Sequence, residues 1–112
     1  MQTKTTPTFT ATIYCGLKLG YDGPITPIEE VRAACQAYVD RVGLAVTFTP
    51  TDYLYTKGSE PGVAIGLINY PRFPSESIKI KDHALAIASI AKDVAKQQRV
   101  TVVCSDETFM LE

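Results

Sequence analysis

The residue types suited to hold a ligand fall in two short stretches. In Gly66-Leu67-Ile68-Asn69-Tyr70-Pro71-Arg72-Phe73-Pro74-Ser75, two prolines stiffen a turn between an apolar run and a helix start. Arg72 would be fixed there, with Asn69 and Tyr70 just before it and free helix amides just after. A guanidinium and helix N-terminal amides both favour phosphate, so the combination suits a small anionic ligand or nucleotide. The plain alternative is a stiff connector with a solvated arginine. The second stretch carries Tyr53, Tyr55, Lys57 and Glu60 around a turn marked by Gly58 and Gly62. Flat aromatic groups beside a cation can hold a ring by stacking, although hairpin tyrosines also commonly cover a sheet edge. Tyr21 and Asp22, in a glycine-flanked loop, would add to the same rim.

Groups that carry catalysis or hold metals are sparse. His83 is the only histidine, and a lone histidine early in a helix is a surface residue more often than a ligand. Cys15, Cys35 and Cys104 form no CxxC pair and fall at core-facing positions, where thiols behave as small inert hydrophobes. No GxSxG, HExxH, phosphate-binding glycine loop or dinucleotide fingerprint is present. The residues therefore predict no catalytic group, no metal site and no cofactor. An enzyme using a tyrosine, Glu60 or Asp52 as acid or base ranks last, because no paired carboxylates or nucleophile–base spacing appears.

The elements that must position these groups can be read from periodicity. From Phe9 to Leu17, Phe9, Ala11, Ile13, Cys15 and Leu17 alternate with polar residues, which predicts a strand. Thr26-Pro27-Ile28-Glu29 predicts a helix start with a hydroxyl cap, proline at the first helical position and a capping-box glutamate. Val31, Cys35, Tyr38, Val39 and Val42 continue at helical spacing until Gly43. Leu44–Thr49 predicts a strand, broken at Pro50-Thr51-Asp52 and extended again over Tyr53-Leu54-Tyr55. Val63–Tyr70 is apolar on both faces and predicts a central strand. Ser75 would cap a second helix reaching about Gln98, with Ile80, Ala84, Ile87, Ala88, Ala91, Val94 and Ala95 as its buried stripe. Arg99–Cys104 is the last strong strand, and Thr108–Leu111 is left as a short edge candidate.

That order predicts an α+β domain of the ferredoxin-like βαββαβ type: a four-stranded antiparallel sheet with two helices on one face. Residues 1–7, polar and ending at a proline, would form a flexible leader, and residues 8–112 a single domain. The open sheet face would carry Thr12, Tyr14, Gly16, Thr47, Thr49, Ala64, Gly66, Ile68, Tyr70, Thr101 and Val103, with almost no charge. Such patches usually meet another surface, so a homo-oligomer is expected.

The 112 residues carry 11 Lys plus Arg against 12 Asp plus Glu, a net charge of −1. Without a basic run this balance argues against duplex nucleic acid. No apolar stretch is long enough to span a membrane and the start does not resemble a signal peptide, so a cytoplasmic protein is expected. The odd cysteine count suits a reducing compartment.

In arrangement, over residues 8–104, the chain resembles small regulatory domains of the ACT and PII-type families, which bind small ligands between subunits. No motif of those families is present, so no residue role carries over. The segments EPGVAIGLINYPRFPS at 60–75 and IYCGLKLGYDG at 13–23 resemble small uncharacterised bacteriophage proteins. That resemblance implies an accessory, anti-defence protein in the host cytoplasm. Two functions follow as expectations: a non-enzymatic oligomer that sequesters a nucleotide or other anionic signal at a subunit boundary lined by Asn69, Tyr70, Arg72 and the hairpin tyrosines, or an inhibitor or adaptor that docks on a host protein.

Overall fold

The computed structural model describes residues 1–112. The elements are β1 (Thr10–Gly16), α1 (Ile28–Val42), β2 (Thr47–Tyr55), β3 (Gly58–Ile68), α2 (Ser77–Val94), β4 (Val100–Cys104) and β5 (Thr108–Leu111). All strand pairs are antiparallel, in the order β2-β3-β1-β4-β5. The fold is α+β, but the sheet has five strands rather than the expected four. Thr108–Leu111 pairs fully with β4 because the preceding turn is anchored: Cys104 donates its amide to the Glu107 carbonyl, and Lys81 of α2 reaches both Asp106 and Glu107 at 2.9 Å. Phe109 and Leu111 then pack against the core.

One sheet face and the helices enclose a single cluster of 20 buried residues, with Ile13, Ile65, Leu67 and Ile87 the largest fully buried side chains. Each such side chain stabilises the fold by roughly 1.5–3 kcal/mol relative to exposure. Alternation along β1, β3 and β4 sends the remaining residues to the other face, where Tyr14, Ile68 and Val103 stay exposed and Thr12, Ala64, Gly66 and Thr101 half-buried. No helix is long and apolar enough to cross a membrane.

Several boundaries differ from the sequence expectation, each for a local reason. Thr26 does not cap α1; Pro27 occupies the cap position, and the Thr26 hydroxyl instead donates to the Ala95 carbonyl at 3.4 Å. Gly43, at φ 71°, does end that helix in the left-handed conformation. Strand β2 runs straight through Pro50, which sits on an edge strand opposite Val63. By ladder alternation its missing N–H faces outward, so no hydrogen bond is lost. The second helix stops at Val94 rather than near Gln98, because Lys96 adopts φ 57°. The Gln97 amide then bonds the Lys92 carbonyl, and the Lys96 amide the Asp93 carbonyl. This is a Schellman closure with lysine where glycine is usual.

Pro61 shapes the remaining connection. Its carbonyl accepts from the Leu17 amide, but it has no N–H to return, and the Leu17 carbonyl is taken by the Thr26 amide at 2.8 Å. The chain therefore leaves β1 and comes back as a small loop bridged at Lys18 and Ile25.

Candidate functional site

That loop forms one wall of a cleft of about 900 Å³ at the end of the sheet. Lys18, Leu19, Gly20 and Tyr21 come from it, Tyr55 and Glu60 from the β2–β3 hairpin, and Lys96, Gln97 and Arg99 from the α2–β4 connection. Three chain segments meet there because antiparallel pairing brings the exit of β1, the hairpin tip and the entry of β4 to the same end of the sheet.

Glu60 stands on β3 opposite Tyr53, one strand from Gly16. Its carboxylate accepts the Lys18 amide at 3.3 Å. A side chain at Gly16 would push the two groups aside: a Cβ there would come within 2.7 Å of the Glu60 Oε2 atom and 3.1 Å of the Gln97 Oε1 atom. The bare backbone of Gly16 is thus the floor over which Glu60 and Gln97 converge. Gln97 is held by donating to the carbonyls of Lys18 and Ala95, at 2.9 and 3.1 Å. Tyr21 and Tyr55 meet edge to face with centroids 6.4 Å apart, and Tyr21 is 81% exposed, an aromatic wall open to solvent. Glu60 is the only acid in the lining, against Lys18, Lys96 and Arg99. The cleft can therefore take a ring on its tyrosines, a cation at Glu60 and an anion at its basic side.

Tyr53, beside Glu60, lies on the open sheet face. It packs edge to face on Tyr14 at 6.5 Å, covers Gly62 where no side chain could stand, and donates its hydroxyl to the Val63 carbonyl at 2.8 Å. Burial, the largest cause, pushes its phenol up to about 12. Lys57 forms the hairpin tip at φ 61° and is not among the residues that line the cleft.

The other sequence candidates lie elsewhere. Asn69 is nine residues along from Glu60, about 30 Å at strand rise, so Asn69, Tyr70 and Arg72 sit at the opposite end of the sheet from the hairpin tyrosines. Within one subunit the two stretches build no common site. Asn69 is occupied structurally: its amide donates to Thr6 and to the Pro7 carbonyl, and its oxygen accepts the Ser75 amide at 2.9 Å. Arg72 is exposed, its guanidinium 5.1 Å from the Phe73 ring. His83 is half-buried and lies between the helices, with Nδ1 2.7 Å from the Tyr38 hydroxyl. No group of three or more His, Cys, Asp or Glu residues is placed to hold a metal ion.

Sequence reasoning missed Lys18, Lys96, Gln97 and Arg99. The available signal was topological: the residues just after β1 and just before β4 must lie beside the hairpin tip.

No protein-family model and no curated protein matches the sequence. In three dimensions, solved structures share the fold. A phage SAM lyase in its apo state superposes with a TM-score of 0.73 at 20% identity, covering 92% of this chain and 87% of that one. A phage SAM lyase in complex with S-methyl-5'-thioadenosine gives a TM-score of 0.71 at 18% identity, covering 99% and 94%. At this identity the likeness establishes the shared fold.

Proposed function

We propose that this protein binds S-adenosylmethionine in the sheet-end cleft and splits it: an oxygen of the substrate's own α-carboxylate bonds to the γ-carbon as the carbon–sulfur bond breaks and its electron pair leaves on sulfur, giving S-methyl-5'-thioadenosine and homoserine lactone. The observation that carries the reading is the cleft itself: an aromatic wall, one carboxylate and a basic side on a fold shared with phage SAM lyase. The adenine would lie on Tyr21 and Tyr55, and a cationic group of the substrate, sulfonium or ammonium, beside Glu60.

The reaction explains why familiar catalytic patterns are missing. A sulfonium leaves as a neutral thioether, so no general acid must protonate it, and a lyase admits neither water nor a second substrate. Charge disappears as the carbon–sulfur bond breaks, so a carboxylate near the sulfur favours the bound substrate more than the transition state. Glu60 accordingly serves binding. Acceleration would come from orientation and from excluding water around the sulfonium.

The uncharged open sheet face supports assembly of copies, as the sequence suggested, and a covering subunit would close the cleft mouth from one side. Origin in a phage, and action in the host cytoplasm, accord with the fold relatives.

Incubation of the purified protein with S-adenosylmethionine should release S-methyl-5'-thioadenosine, detected by chromatography. Glu60→Gln should weaken S-adenosylmethionine binding about tenfold, the worth of one lost charge pair, with S-methyl-5'-thioadenosine, which is neutral, held as before. Binding without release would favour sequestration over cleavage. Absence of binding by either compound sinks both.

A further inference from the structure

Lys96 combines three features that no structural role accounts for together. It takes φ 57°, a left-handed conformation that side chains other than glycine, asparagine and aspartate seldom adopt. It is exposed on the basic side of the cleft, and its ammonium forms neither an ion pair nor a hydrogen bond within the protein. Glycine would close the same Schellman turn with less strain, so the turn alone does not call for lysine. Backbone strain of this kind gathers where a side chain is needed for contact.

The other cations of the cleft are engaged. Arg99 pairs with Glu112 at 3.6 Å, and the Lys18 ammonium donates to the Ser59 carbonyl at 3.5 Å. The end of α2 would ordinarily repel an anion through its free carbonyls. Here three of those carbonyls are satisfied: Lys92 by Gln97, Asp93 by Lys96, and Ala95 by both the Thr26 hydroxyl and the Gln97 amide. An anion beside Lys96 would therefore meet a free ammonium and a helix end whose carbonyls are mostly engaged.

Resting on the S-adenosylmethionine reading, we propose that Lys96 is the specificity residue for the amino-acid half of the substrate, pairing with its α-carboxylate. S-Methyl-5'-thioadenosine lacks that half entirely, and decarboxylated S-adenosylmethionine keeps the sulfonium but not the carboxylate. The three compounds thus separate the aromatic, cationic and carboxylate contacts of one cleft.

Dissociation constants of the three compounds would be measured by calorimetry in the cold for the wild-type protein and for Lys96→Gly, Lys96→Asn and Lys96→Arg. Glycine and asparagine both accept the left-handed turn, so these variants should melt no lower than wild type. Their affinity for S-adenosylmethionine should fall about tenfold, as for one lost ion pair, while the decarboxylated compound and S-methyl-5'-thioadenosine stay within about twofold, the scatter expected of a contact they never make. Lys96→Arg should retain most of the affinity for S-adenosylmethionine. Equal losses for all three compounds, or no loss for any, would overturn the carboxylate assignment while leaving the substrate reading intact. Failure of the wild-type protein to bind any of them would overturn the substrate reading and this assignment with it.

Discussion

Cys15, Cys35 and Cys104 show what burial does to single residues. Desolvation pushes the Cys15 thiol up to about 12, with smaller contributions from Cys35 and Glu60, and the Cys35 thiol up to about 11. At pH 8 the native thiols are therefore almost wholly protonated, and maleimide or iodoacetamide should label none of them rapidly. Cys104, at 6% exposure, should react first and all three should react after denaturation. The same shifts set an alkaline limit. Unfolded thiols ionise near 9 and unfolded tyrosine near 10, whereas the folded Cys15, Cys35 and Tyr53 hold their protons to about 11 or 12. In that window the unfolded chain loses protons that the native one keeps, so the melting temperature should drop between about pH 9 and pH 12. A flat profile there would contradict the burial. At this scale the sequence was readable for the core thiols, whose alternation and helical spacing mark them as inward. It was not readable for His83 or Asn69, because their partners, Tyr38 and Thr6, come from segments 45 and 63 residues away.

Among the elements, periodic strands and helices were legible and their ends were not. Gly43 announced a helix end because glycine is the usual left-handed residue. Lys96 concealed one, since nothing in Ala95-Lys96-Gln97-Gln98 signals a stop. Pro50 looked like a break in a strand, yet only an edge position decides whether a proline interrupts a ladder, and position in a sheet is a property of the whole fold. The fifth strand depends similarly on a contact invisible locally, the reach of Lys81 to the turn before it. That hydrogen-bonded pairing raises the Lys81 ammonium and lowers the Asp106 carboxyl from their ordinary values. A depressed carboxyl contributes stability above its unfolded value and loses it as acid protonates it. Lys81→Ala should accordingly return the Asp106 titration towards the usual carboxylate range and speed amide exchange in Thr108–Leu111 with little effect on β1 or β3. NMR titration and hydrogen exchange would read both, and an unchanged β5 would show that its core contacts alone hold it.

For the molecule as a whole, the candidate site became visible only once strand order was known. The sequence supplied Tyr55 and Glu60 but joined them to Arg72, which β3 holds a full strand length away. The uncharged face formed by Thr12, Tyr14, Ala64, Gly66 and Thr101 still lacks a cover within one chain. Sedimentation at tens of micromolar should show an oligomer, and Ala64→Arg, placing a charge at its centre, should dissociate it while leaving the circular dichroism spectrum native. A wild-type monomer at that concentration would refute the assembly.

The proline in β2 bears on what kind of assembly is permitted. Its outward row of backbone groups includes a position that can never donate, and the opposite border of the sheet is only four residues long. Neither border is a good template for another chain's strand. Growth into filaments by lateral strand addition is thereby discouraged, and copies that stick together are steered towards small, closed, countable particles.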